Sequence, residues 1–433
     1  MTDLIAARSQ MAMSLGFHII FAAIGIALPL MMVLAEWWWL RRGDTVALAL
    51  AKRWAKGSAI LFAVGAVSGT VLSFELGLLW PRFMGWAGAI IGLPFSLEGF
   101  AFFMEAIFLG LYLYGWQRLS GWTHLAAGTL VAASGLLSGV FVVIANAWMN
   151  TPAGFEVVDG RPTQIDPLAA MSNPSAFSES LHMGLAAYAA TGFAVAGVHA
   201  GKLLRNPTSG FHQRALTIAF SLGAVAAILQ LLSGDIAART AGRYQPSKVA
   251  AFEAQFRTQA GAPLRLGGIP DVNRQEVQYA IEIPLALSFL LTHDPNSVVK
   301  GLDAFPRDEW PPVTIVHMAF QVMVLAGFTM AAVALWGGWL WWRHQGLTSS
   351  RGFLWAIFLT GPLGFLAIEA GWVVTEVGRQ PWIIRGVLRT ADAVTPMPGL
   401  VVPLVTFTVL YLFLAVIVVW LIARDIGSTE QEA

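Results

Sequence analysis

Runs of mainly apolar residues, most of them twenty or longer, recur nine times along this chain, and no other feature limits its fold so strongly. A helix needs roughly 20 such residues to cross a bilayer, and the runs fall at about 14–38, 55–79, 95–116, 124–148, 178–201, 215–233, 313–342, 352–374 and 399–423. With 57% hydrophobic and only 12% charged residues, the chain does not suit a water-facing surface. The expected fold is an all-α integral membrane protein with nine transmembrane helices in a single domain, residues 1–433. A net charge of +1 gives no reason to expect a nucleic-acid partner. Cysteine is absent, which excludes disulfides, Cys-ligated iron–sulfur clusters, c-type haem attachment and thiol catalysis. The opening "MTDLIAARSQMAMS" has no basic stretch before its apolar run, and that run is too long for a signal-peptide core, so it reads as a retained first span.

Alternate short connections are richer in Lys and Arg. Arg41, Arg42, Lys52 and Arg53 follow span one, Arg118 follows span three, and Lys202, Arg205 and Arg214 follow span five. The positive-inside rule therefore puts the N-terminus outside and the C-terminus inside. Trp37, Trp38, Trp39, Trp54, Trp116, Trp122, Trp341 and Trp342 then fall at inner ends, with Trp80, Trp148 and Trp310 at outer ends, as interfacial belts require. Two connections are long. Residues 149–177 are rich in Pro, Gly and Asp and read as an ordered outer loop. Residues 234–312 contain "SKVAAFEAQFRTQ", which puts Val249, Phe252 and Phe256 on one helical face, the pattern of an amphipathic helix lying at the outer membrane surface. Loops of this length are often functional.

Three carboxylates lie at membrane depth. Glu98 and Glu105 are seven residues apart in span three and share a face, about 10 Å apart along the axis. Glu369 sits alone inside "GPLGFLAIEAGWVV". Each costs roughly 2.5–3.5 kcal/mol on insertion scales, so the three together cost on the order of 10 kcal/mol. Neutral, hydrogen-bonded acids would satisfy the same pattern without a function. Of the eight histidines, His18, His182 and His317 lie within spans, whereas His124, His199, His212, His293 and His344 sit near helix ends or in loops and read as structural. A lone buried histidine is more often packed than ligating. Without cysteine, however, a haem in this membrane protein must take His, Met or a carboxylate as its axial ligand. His18 and His182 lie about one turn into their spans and Met323 two to three turns into span seven, while Glu369 is near the outer end of span eight, so the candidates converge on the outer half of the bilayer.

The segments "MAMSLGFHIIFAAIGIALPL", "EGFAFFMEAIFLGLYLYGWQRLSGWTH", "SGVFVVIANAWMNTPAGF", "LHMGLAAYAATGF", "HMAFQVMVLAGF" and "IEAGWVVTEVGRQPW" together resemble subunit I of cytochrome bd-type quinol oxidases. The resemblance covers essentially the whole chain. It implies that His182 and Met323 are the axial ligands of a low-spin haem b558. It also implies that His18 and Glu369 are the single protein ligands of the two oxygen-site haems, haem b595 and haem d, or haem b in its place. Glu98, Glu105 and Ser138 match residues of proton delivery, Lys248 and Glu253 match quinol-oxidation residues, and Arg379 in "GRQPW" matches a residue near the haems. Residues 234–312 become the quinol-binding Q loop, in its short form. The implied partners are a membrane quinol, expected to be ubiquinol, dioxygen, the lipid bilayer and a subunit II, with room for a small single-span subunit. The implied location is the bacterial cytoplasmic membrane. Gln321 stands where some members have Arg, and Phe365 where some have Trp.

The implied reaction is oxidation of quinol at the outer face and reduction of dioxygen to water with protons from the cytoplasm. Three other functions remain open to the residues alone. A haem b anchor of a dehydrogenase needs His182 and Met323 but not the His18/Glu369 pair; a proton-coupled transporter needs the acids but not the His/Met spacing; a structural partner subunit needs neither.

Overall fold

The computed structural model describes residues 1–432, with side chains through Arg424. Among them are nine helices long and apolar enough to cross a membrane: α1 (Asp3–Arg42), α2 (Thr45–Leu79), α3 (Pro81–Tyr114), α4 (Gly121–Asn150), α5 (Ala176–Arg205), α6 (Gly210–Tyr244), α7 (Val313–Trp342), α8 (Arg351–Val377) and α9 (Val401–Arg424). All nine expected spans are present. Most run past the expected ends, α1 starting at Asp3 rather than 14 and α3 at Pro81 rather than 95. A bilayer core needs only about 30 Å of helix, whereas the 40 residues of α1 rise about 60 Å. The extra turns of α1, "DLIAARSQMAM", are mixed in composition, whereas those of α3, "PRFMGWAGAIIGLP", are mostly apolar. One consequence is that His18 lies about four turns into α1, not one.

The starts are capped by local chemistry. Thr2, Asp44, Ser120 and Ser209 each accept a backbone N–H of the first turn of α1, α2, α4 and α6. Successive helices pair as hairpins, α1 with α2, α3 with α4, α5 with α6 and α7 with α8. Helix α1 also touches α4, α5 and α9, which places it centrally. Small residues set the closest approach: a Cβ on Gly192 of α5 would come 2.5 Å from the Cα of Gly223 on α6. Close helix packing inside a membrane depends on such residues. Helix α8 breaks into Arg351–Thr360 and Leu363–Val377 at Gly361–Pro362, because proline cannot donate the helical hydrogen bond.

The 149–177 connection is ordered as expected, with a hairpin pairing Glu156–Val158 and Arg161–Thr163 and a short helix Pro167–Met171. The loop before α7 departs from expectation twice. Residues 234–244 belong to α6, so the loop proper begins at Gln245. Its amphipathic segment forms only Pro246–Phe252, and the chain leaves the helix at Glu253 and Ala254, the latter at φ 49. Val249, Phe252 and Phe256 do not lie on the membrane surface. They are buried with Leu302, Val313 and Val316, under short ladders that pair 264–266 with 281–283 and 269–271 with 276–278.

Candidate functional site

The histidines sort by what their ring nitrogens meet. His317 faces backbone carbonyls from both sides, Nδ1 2.8 Å from Phe252 O and Nε2 3.2 Å from Gly267 O. It is a clasp between α7 and the loop. His124 is likewise used up, by the Glu36 carboxylate at 2.8 Å and Tyr112 O at 2.8 Å, and His199 pairs with His212. His18 and His182 differ. Each is held at Nδ1 by a serine of the neighbouring helix, Ser68 at 3.0 Å and Ser233 at 3.0 Å. Neither Nε2 meets a backbone carbonyl or a carboxylate; the Gln230 amide nitrogen stands 3.1 Å from that of His182.

Helix α8 carries two chemically different faces. Gly371 lies against Met323 of α7, so closely that a Cβ there would stand 3.1 Å from the sulfur. Glu369, about 200° round the helix from Gly371, faces α1, its Oε2 3.1 Å from where a Gly16 Cβ would be. Its Oε1 is buried without a partner. Seven residues on, Glu376 returns to the face of Glu369 and meets α4, accepting from Asn146 Nδ2 at 2.5 Å and pairing with Arg379 Nη2 at 2.5 Å. Between them the Trp372 indole N–H is buried without a partner, as are Nε and Nη1 of Arg379. Glu376 is not among the residues singled out in the sequence, although the signal existed: the seven-residue spacing that ties Glu98 to Glu105 also ties Glu369 to Glu376.

The acidic stripe of α3 faces α4. Ser138 donates to Glu98 at 3.2 Å, and the Glu105 carboxylate sits 3.2 Å from where a Gly135 Cβ would be. Glycine at 135 leaves the space that carboxylate fills. The same face continues to Tyr112, whose ring packs on His124.

Above α8, Lys248 is buried, donates to Asn150 Oδ1 at 2.5 Å and lies beside Gly378, which brings it next to Arg379. Burial lowers its pKa to about 7, partly offset by the Glu179 carboxylate. Glu253, only 1% exposed, is the C-cap of the same short helix. Burial raises its pKa to about 8 against the pull of Arg265. Lys248 and Glu253 therefore have different charged neighbours. Gln321 ties the loop to α7, accepting from Gly267 N at 2.9 Å and donating to Arg265 O at 3.1 Å.

Nitrogen, sulfur and carboxylate side chains inside a bundle of nine apolar helices, beneath a folded loop, define a multi-pass helical membrane protein. Residues 6–429 match the family model of cytochrome bd terminal oxidase subunit I. A Bacillus subtilis (strain 168) protein described as a cytochrome bd menaquinol oxidase subunit I is 40% identical over 98% of this chain and 96% of its own length. The cytochrome bd ubiquinol oxidase subunit 1 of the same organism is 33% identical over 100% and 95%. The structure of bd oxidase from Geobacillus thermodenitrificans superposes with a TM-score of 0.93 at 39% identity, covering 99% of both chains. The chain belongs to the cytochrome bd terminal oxidase subunit I family, whose members are quinol:oxygen oxidoreductases of the respiratory chain.

Family membership implies haem, and the donors present fit it. Two histidines with Nδ1 engaged and Nε2 turned to no protein acceptor suit axial ligation. The unpartnered Arg379 nitrogens suit an anionic edge such as a propionate. Among the described residues no group of three or more His, Asp or Glu suits a bare metal ion instead.

Proposed function

We propose that the chain is the haem-bearing subunit of a terminal oxidase of the bacterial cytoplasmic membrane, N-terminus outside, oxidising a membrane quinol at the outer face and reducing dioxygen to water. The observation that carries this is the sorting of the histidines: among the described residues His124 and His317 have both ring nitrogens on carbonyl or carboxylate oxygens and His199 pairs with His212, whereas His18 and His182 are each held at Nδ1 by a serine with no backbone carbonyl or carboxylate at Nε2. His182 and Met323 would hold haem b558. His18 would hold one oxygen-site haem, and the carboxylate face of α8, Glu369 or Glu376, the other. Haem b595 and haem d, or haem b in its place, fill those two positions. Haem supplies one-electron transfer where both axial positions are taken and oxygen binding where one is open. A subunit II completes the oxidase, with room for a small single-span subunit. The relatives are named for menaquinol and for ubiquinol, so the quinol is assigned by class. Reduced-minus-oxidised and carbon monoxide difference spectra of the purified oxidase test the proposal. A low-spin b-type signal together with a CO-reactive haem is expected, and the absence of either refutes it.

This chain's own groups then have distinct tasks. Glu253 accepts a proton from the quinol hydroxyl, and Lys248 with Arg379 holds negative charge at the outer end of the site. Glu105, Glu98 and Ser138 pass protons between α3 and α4. Proton release outside and uptake from inside would separate charge without a pump.

Two results follow. Burial raises the Glu253 pKa to about 8, so quinol oxidation that needs its ionised form should climb through pH 8 and level off above about pH 9. Glu253→Gln should lower the rate roughly a hundredfold and flatten that limb while the haem spectra persist. A variant that kept the wild-type pH profile would remove Glu253 from the reaction. Glu105→Gln should slow the proton-coupled phase of oxygen reduction at least about tenfold. Flash-initiated oxygen kinetics read that phase directly, and an unchanged rate counts against the α3–α4 route.

A further inference from the structure

Ser68 and Ser233 are absent from the roles assigned above, yet they occupy equivalent positions. Ser68 is 0% and Ser233 1% exposed, each in a helix next to the histidine it meets. A serine hydroxyl has one proton to give. That of Ser68 goes to Val64 O at 2.9 Å, with Gly65 O at 3.2 Å, inside α2. That of Ser233 goes to Gln230 O at 3.0 Å inside α6, with Gln230 Oε1 at 3.4 Å. With those protons on the backbone carbonyls, both oxygens accept from the imidazole and both histidines carry their proton on Nδ1. The lone pair is left on Nε2. At His182 the Gln230 amide nitrogen stands 3.2 Å from Nδ1 and 3.1 Å from Nε2 and so does not choose between the tautomers; the serine does.

We infer that Ser68 and Ser233 are positioning residues that select the Nδ1–H tautomer of His18 and His182, fix each ring's orientation and set how strongly each Nε2 donates to iron. The inference rests on the reading of these histidines as haem ligands. Its physical basis is that a hydrogen bond accepted from one imidazole nitrogen raises the basicity of the other, and losing such a partner typically costs 10–100-fold in affinity or activity. The device is made twice, by different helices on different histidines. Helix backbone bonding fixes the direction in both.

The test uses the whole oxidase. Ser233→Ala should raise the midpoint potential of the low-spin haem, because a less basic imidazole stabilises ferric iron less. Ser233→Thr, which keeps the hydroxyl and its backbone bond, should return it toward the wild-type value. Ser68→Ala and Ser68→Thr should do the same to the spectrum and CO-bound band of one oxygen-site haem, leaving the low-spin potential alone. Thr217→Ala removes a similar backbone bond from α6 (Oγ1 to Gln213 O, 2.8 Å) away from either histidine and should move nothing. Loss of the haem in an alanine variant with recovery in its threonine partner also supports the inference. Unchanged potentials and bands in both alanine variants overturn it, as do shifts that threonine fails to reverse or that Thr217→Ala reproduces. His182→Ala keeps the two claims apart: if it retains the low-spin haem, the ligand reading has failed; if it loses the haem while Ser233→Ala is silent, only the positioning role has failed.

Discussion

His182→Ala is expected to abolish the low-spin haem signal of the oxidase, and quinol should then no longer reduce the remaining haems at a useful rate. His182 is the donor on α5 whose Nε2 meets no backbone carbonyl or carboxylate, only the Gln230 amide nitrogen at 3.1 Å. No other histidine is placed to replace it: His317 is spent on two carbonyls and His199 on His212. Because loss of a mere hydrogen-bond partner to a ligand costs 10–100-fold, loss of the ligand itself should lower quinol oxidation by more than about a hundredfold. Met323→Leu tests the other axial side. Leucine fills nearly the same volume beside Gly371 but lacks the sulfur, so the expected product is a stably folded protein whose low-spin haem is lost or turned high-spin. An unchanged low-spin spectrum in both variants would sink the assignment.

The second large effect is expected from α8. Glu369→Ala should remove or perturb one oxygen-site haem, abolish oxygen reduction and leave the His182/Met323 haem reducible. Glu369 has a buried oxygen with no partner, a state that costs several kcal/mol in an apolar helix unless something binds it. Glu376→Ala belongs in the same experiment. That residue is one heptad along the same face, with Arg379 beside it and Asn146 across from it. If Glu376→Ala deletes the high-spin haem and Glu369→Ala keeps normal carbon monoxide binding, the iron ligand is Glu376 and Glu369 is a structural acid. Retention of both oxygen-site haems in both variants would exclude this face of α8 from ligation altogether.

The spans were legible because membrane insertion demands a long apolar run, a signal that needs no tertiary information. Their true ends were not, since the turns beyond the bilayer obey only capping and contact. The loop helix misled for a related reason. Val249, Phe252 and Phe256 have the periodicity of a surface helix, and nothing local says that the ladders at 264–283 will cover them. At the site, residue types and depth point to His18, His182 and Met323, but what each nitrogen meets is a property of packing. Composition cannot separate His317 from His182; a carbonyl on each side of the ring can. The serines that hold His18 and His182 come from adjacent helices, 50 and 51 residues away in sequence, beyond the reach of any motif.

One consequence lies in the two-faced build of α8. The sulfur of Met323 rests on one side at Gly371, and the acids at 369 and 376 stand on the other. A helix is only about 10–12 Å across, so under the proposed haem assignment the electron-receiving side and the oxygen side would share a single partition wall. Such a wall needs no hinge, lid or sliding domain to connect its rooms. Turnover can then proceed in a scaffold that stays still, with electrons crossing the wall while protons arrive along the separate seam of α3 and α4. Bulk added at Gly371 would press first on the Met323 sulfur, on the Met323 side of that wall.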